Sequence, residues 1–119
     1  TGGFLYVANT LASMVTGPAN DGRVFERLQY SRKREADTRE SITRFYARTD
    51  VAETIYPLGT VLPRLSLSRV YVLATGNTCS ASEAVVNGLR GVDVEVILVG
   101  GTTCGKPYGF TRRDNCDLS

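Results

Sequence analysis

The residues able to do chemistry in this chain stand in two short stretches, TGNTCSASE (Thr75–Glu83) and GGTTCGK (Gly100–Lys106). The first offers a hydroxyl at Ser80, the second an amine at Lys106. The 119-residue sequence contains no histidine. A Ser–His–Asp or Cys–His site built from this chain alone is therefore excluded, and so is a histidine-ligated metal. Cys79, Cys104 and Cys116 are too scattered for zinc-ligand spacing. A nucleophilic serine here needs another base, and lysine is the usual substitute.

Each residue also has a plain reading. SASE (Ser80–Glu83) fits a capping box, with Ser80 as N-cap and Glu83 three residues on. As a nucleophile, Ser80 would stand at a helix N-terminus, where unpaired N–H groups and the helix dipole favour an oxyanion. Lys106 can be an ordinary surface charge. As a general base it must be neutral, which requires lowering a pKa near ~10.4 by several units through burial. As a phosphate binder it nearly fits G-x-x-x-x-G-K-[ST], with Gly100 and Gly105 in place, but Pro107 replaces the metal-binding hydroxyl and no helical period comes after it.

The elements that must position these residues are read from periodicity. RVYVLA (Arg69–Ala74) reads as a buried strand, Ser80–Arg90 as a helix stopped by Gly91, and VDVEVILVG (Val92–Gly100) as a second buried strand. Strand, helix and strand make a βαβ unit with a right-handed crossover. Both reactive stretches then stand after strand carboxyl ends, where parallel α/β sheets hold their sites. Upstream, Phe4–Val15 repeats at helical spacing, and Gly17 and Pro18 end it. Val24–Tyr30 and Ile42–Tyr46 alternate as strands. SRKREADTRES (Ser31–Ser41) has almost nothing to bury and reads as a solvated hairpin tip or loop. Val51–Leu67 reads as loop with one short extended piece.

Composition sets outer bounds. At 42% hydrophobic and 22% charged, the chain can build one ordinary core. Its +2 net charge is spread out, so nucleic acid is not indicated. No apolar run approaches the ~20 residues of a membrane span. The cysteines can hold one disulfide plus a free thiol, or none: pairing of Cys79 with Cys104 would tie the two reactive turns together, and pairing of Cys104 with Cys116 would staple a hairpin. The opening TGGF (Thr1–Phe4) suggests a segment of a longer protein.

The run RVYVLATGNTCSASEAVVNGLRGVDVEVILVGGTTCGKPYG (Arg69–Gly109) resembles the carboxyl-terminal-processing, or tail-specific, serine peptidases. That resemblance implies a ClpP/crotonase-like layered α/β fold with βαβ units. It implies a Ser/Lys dyad, with Ser80 from S-A-S-E as nucleophile and Lys106 from T-x-G-K as base. TGGFLYVANTLASMV (Thr1–Val15) resembles the segment after the family's first strand, so Gly2 and Gly3 map to an oxyanion-hole turn, and Ala81 supplies a second N–H. Thr78, Asn77 and Thr103 line the two turns and are expected to orient Lys106. Where some members carry an orienting glutamine four residues after the lysine, this chain has Phe110.

The implied organisation is a fragment of one peptidase catalytic domain over 1–119. It comprises a variable hairpin and loop region at 17–66 and the catalytic βαβ core at 67–110. The implied activity is hydrolysis of peptide bonds in C-terminal regions of a protein or peptide substrate, with no cofactor and no metal. The implied location is exported, periplasmic or extracytoplasmic. A non-catalytic relative that binds peptides or partners is the competing reading, and a nucleotide loop at Gly100–Lys106 is a third.

Overall fold

Apolar residues three and four apart wind Leu5–Val15 into the eleven-residue helix α1. Ala8 and Ala12 face inward; as small residues they let α1 lie close on the later helix α3 (Ala81–Arg90). The computed structural model describes residues 2–51, 56–106 and 108. After α1, Gly17–Pro18 opens a short 3₁₀ turn. The chain then makes an antiparallel pair, β1 (Val24–Arg27) with β2 (Ile42–Arg44), whose register slips between Val24 and Glu26.

The tip of that hairpin differs from the expected open loop. Arg32–Arg34 forms a 3₁₀ turn and Glu35–Glu40 a six-residue helix, α2. Polar contacts rather than burial hold it. Arg34 pairs with Asp37, Arg39 lies 3.6 Å from Glu35, and Thr38, the buried residue of α2, accepts the Tyr30 N–H at 2.9 Å. Acids in its first turn and Arg39 in its last complement the helix dipole.

The return from this excursion closes onto α1. Leu65 and Leu67 donate backbone N–H groups to Met14 and Val15 carbonyls at 2.8 and 3.0 Å, which satisfies two acceptors that the helix end leaves unpaired. Arg64 donates to Asp21 at 2.6 Å and to the Gly17 carbonyl at 3.0 Å.

β3 (Arg69–Ala74) and β4 (Glu95–Gly100) pair in parallel from Arg69↔Glu95 to Ala74↔Gly100, with α3 as the connection, so the expected βαβ unit is present. β4 begins three residues later than predicted, because Asp93 takes a positive φ of 64° and turns the chain at 92–94. The core joins Ala8, Ala12, Phe25, Phe45, Val86, Leu89, Val92, Val94 and Val96, with Val70 and Val72 against its edge. Phe25 meets Phe45 edge-to-face at 5.4 Å. Strands buried on both faces were expected. Instead β3 alternates, and Tyr71 and Leu73 are 66% and 82% exposed, because the described elements pack on one face of this two-stranded sheet.

Packing is close where α3 meets β1. A Cβ on Gly88 would stand 2.5 Å from Cδ2 and Cε2 of the buried Phe25 ring. Gly88→Ala is therefore expected to lower stability. Overpacking costs about 1–3 kcal/mol, which exceeds the roughly 0.5–1 kcal/mol that alanine contributes in a helix interior. Thermal unfolding checks this: an unchanged or raised midpoint would contradict it.

Candidate active site

The in-register ends of β3 and β4 start two turns side by side. Ala74 and Gly100 are partners, and the Gly101 N–H donates to the Ala74 carbonyl at 2.8 Å. Gly100 has φ 114°, and a Cβ there would collide with that same carbonyl, so only glycine lets β4 leave the sheet at this point. The first turn closes on itself: Thr78 donates its N–H to the Thr75 carbonyl at 2.9 Å, and its Oγ1 accepts the Thr75 N–H at 3.0 Å. The second turn is tied to the first by the Cys104 N–H, which donates to the Thr78 carbonyl at 3.0 Å.

Ser80 sits between the first turn and α3, half-buried, as the N-cap predicted. Its backbone is unusual, with φ 54° and ψ −117°. A residue with a Cβ in such a conformation carries about 1–3 kcal/mol of strain and persists only where its surroundings over-determine it. A serine on a sharp, strained turn into a helix is how α/β-hydrolases expose a nucleophilic hydroxyl. Ala81, the first residue of α3, is buried behind it. An N–H at that helix position has no intrahelical acceptor.

The restraint on Ser80 comes largely from Glu83. Its carboxylate accepts four hydrogen bonds, two at each oxygen: Oε2 from the N–H groups of Ser80 and Lys106 at 2.8 and 3.0 Å, Oε1 from the Thr103 hydroxyl and the Gly105 N–H at 2.8 and 2.7 Å. A carboxylate has about four lone-pair sites, so this group is saturated as an acceptor. The Thr103 hydroxyl first, then the Ser80, Gly105 and Lys106 N–H groups, hold the Glu83 carboxyl below the usual glutamate value. Charged and fully engaged, Glu83 acts as a bolt between the turns and not as a proton acceptor.

Sequence pattern assigns Glu83 only the capping role, which the Ser80 N–H bears out. S-A-S-E signalled its turn back toward Ser80. Its grip on Gly105 and Lys106 depends on β4 lying beside β3, which no local pattern reports. Thr103 was expected to orient Lys106; its hydroxyl donates to Glu83 instead. Thr78 and Asn77 shape the first turn, the Asn77 N–H donating to Thr75 Oγ1 at 3.2 Å.

Gly2 is brought against Ser80: a Cβ on it would lie 3.6 Å from Ser80 Cβ and 3.7 Å from the Cys79 carbonyl oxygen. Gly3, which leads into α1, faces open space at its Cα. Lys106 is brought to the site through its backbone, one carboxylate away from the Ser80 N–H. The burial expected around it is not found: Lys106 is an exposed residue among those described. Phe110, Pro107 and Cys116 lie outside the described residues.

The nucleotide-loop reading fares poorly. The Gly105 and Lys106 N–H groups that would cradle a phosphate point at the Glu83 carboxylate. An anion placed there would face a negative charge and compete for donors already used.

Of the two open cysteine pairings, Cys79–Cys104 is formed, with Cα atoms 5.3 Å apart. It joins the residue before Ser80 to the residue two before Lys106. Among the described residues, no group of three or more His, Cys, Asp or Glu side chains gathers to hold a metal, and no helix is long and apolar enough to cross a membrane. A cavity of about 710 Å³, lined by residues including Tyr6, Thr10, Met14, Val61 and Pro63, lies elsewhere. At about 100° per residue, its α1 residues stand opposite Ala8 and Ala12, so it opens away from α3 and Ser80.

No family model and no curated protein matches the chain. It is similar to a solved crystal structure from Bacteroides fragilis that carries a provisional assignment as an S41 protease. The two share 31% identity and a TM-score of 0.62, over 89% of this chain and 24% of that one, so the chain spans about a quarter of the length of the S41 protease-like protein it resembles.

Proposed function

We propose that this chain is part of the catalytic domain of a serine peptidase of the carboxyl-terminal-processing type, with a ClpP/crotonase-like fold and a Ser80/Lys106 dyad. The observation that carries the reading is the backbone of Ser80, held at φ 54° and ψ −117° at the mouth of a helix. A simple N-cap has ordinary extended dihedrals, so capping alone does not account for it. Likeness to an S41 protease supports the same class.

In this reading Ser80 Oγ attacks a peptide carbonyl in the C-terminal region of a protein substrate. Lys106 Nζ takes the hydroxyl proton and returns it to the leaving amine; water then repeats the sequence to release the acyl group. The N–H of Ala81, with that of Gly2 or Gly3, receives the tetrahedral oxyanion, each such donor contributing about 2.7–4 kcal/mol. Lys106 needs enclosure for this role, which bound substrate or further parts of the full-length protein supply. An exported location accompanies the proposal, and a disulfide beside the site agrees with an oxidising compartment.

The exposure of Lys106 favours a second reading, a non-catalytic relative that binds peptides through the same edge. A fluorophosphonate probe separates the two. Stoichiometric labelling of the full-length protein at Ser80, mapped by peptide mass and lost in Ser80→Ala, is expected. Absence of label on a folded full-length protein would leave the binding-module reading.

A further inference from the structure

We infer that the Cys79–Cys104 disulfide is a redox-controlled positioning element: oxidised, it keeps the Lys106 turn against Ser80, and reduced, it lets that turn move and turnover fall. The inference rests on the dyad proposed above, and it concerns how that dyad is regulated.

Three observations point to it. The bond lies at the site, not in the core. It joins the residue preceding Ser80 to the turn bearing Lys106, whereas the core is made by Phe25, Phe45, Val86, Leu89 and their neighbours. The second turn has no regular structure of its own from Thr102 to Lys106. Besides the disulfide, Glu83 and the Thr78 carbonyl hold it, around an exposed rim. Cys104 is exposed while Cys79 is half-buried, so an outside thiol can approach one sulfur.

The chemistry is ordinary exchange with a dithiol protein or a small thiol as reductant. Its thiolate attacks Cys104 Sγ, and the S–S bond breaks with its electron pair leaving on Cys79 Sγ, which takes a proton. A second reductant thiolate resolves the mixed disulfide and frees the Cys104 thiol. The protein gains two electrons and two protons, and the reductant becomes a disulfide. Loss of a bond whose only task was to staple the fold would lower activity only as far as it unfolds the domain. A positioning bond acts on the catalytic step, where misplacement by about 1 Å can cost roughly 10²-fold.

The test uses the full-length protein, with Cys116→Ser as background so that Cys79 and Cys104 are the pair in question within this chain. It is treated with dithiothreitol, and thiols are located by alkylation and peptide mass. Reduction is expected to lower kcat about tenfold or more while KM moves less than about threefold, with the protein still folded at the assay temperature and kcat restored on reoxidation. Cys104→Ser should match the reduced enzyme and ignore reductant. Full kcat with both cysteines shown to be alkylated would overturn the inference, as would a loss of kcat that tracks loss of folded signal. Amide hydrogen exchange at Gly105 and Lys106 reads the clamp without catalysis. It should quicken on reduction even if the Ser80 label fails, so unchanged exchange refutes the clamp and a missing label refutes only the dyad.

Discussion

Ser80→Ala in the full-length protein is expected to abolish peptide hydrolysis, with kcat falling on the order of 10⁴- to 10⁶-fold, as when a nucleophile that works as a unit with its base is removed. The substitution deletes one oxygen from a half-buried position and keeps the Cβ, so the backbone has no new clash to avoid. The fold should survive because the bond from the Ser80 N–H to Glu83, at 2.8 Å, does not involve the side chain. Substrate binding should persist as well, so KM is expected to change far less than kcat. Lys106→Ala should match this loss. Its backbone N–H can still reach Glu83, so that tie to the turn is kept while the amine is removed. Steady-state kinetics on a peptide substrate, with circular dichroism to verify folding, decides the matter. Turnover like that of the unmodified protein in either variant would end the dyad proposal.

Glu83→Gln should be the next most damaging change, although Glu83 touches no reacting atom in the scheme. Glutamine keeps the shape but replaces one acceptor oxygen with an NH₂ group. Each Glu83 oxygen now receives two donors: an NH₂ in place of Oε2 would face the Ser80 and Lys106 N–H groups, and in place of Oε1 would face the Gly105 N–H, while the Thr103 hydroxyl can turn to accept. Either the strained Ser80 turn and Lys106 lose their shared anchor, or the Gly105 N–H loses its acceptor. A loss of about 10²-fold in kcat is expected if the turns shift by about 1 Å.

The same bolt carries a pH signature. The Glu83 carboxyl is held below its ordinary value of 4.5, chiefly by the Thr103 hydroxyl and then by the backbone N–H groups. For a carboxyl with a depressed folded-state value, the stabilising contribution is fully present above 4.5 and is lost as pH falls through the lower folded value. The amide resonances of Ser80, Gly105 and Lys106 should therefore titrate together with a midpoint below 4.5, and this transition should vanish in Glu83→Gln. A common midpoint at or above 4.5, or three unrelated ones, would remove the bolt from the account.

Much of the scaffold is legible in the residues. The 3.6-residue recurrence of Leu5, Ala8, Ala12 and Val15, and the run from Arg69 through Gly100, predict α1, β3, α3 and β4 because local periodicity and stop signals act within a few residues. The small helix Glu35–Glu40 escapes such a reading. It is held by ion pairs and by the bond from the Tyr30 N–H to the Thr38 hydroxyl, in a segment with almost no apolar pattern. The late start of β4 is equally hidden, since a positive φ at Asp93 is settled by how the helix end must turn to meet the sheet.

For the site, residue types alone narrow the chemistry. With no histidine, a hydroxyl at Ser80 and an amine at Lys106, only a few mechanisms remain, and S-A-S-E ties Glu83 to the Ser80 backbone. What tertiary structure alone decided is the joining of the two turns. The parallel register of Ala74 with Gly100, the choice of Cys104 as partner of Cys79, and the three donors that Thr103, Gly105 and Lys106 bring to Glu83 all link residues twenty or more positions apart. Such links arise when packing of α3 and β4 brings distant segments together, and neither helical nor strand periodicity carries information over that separation.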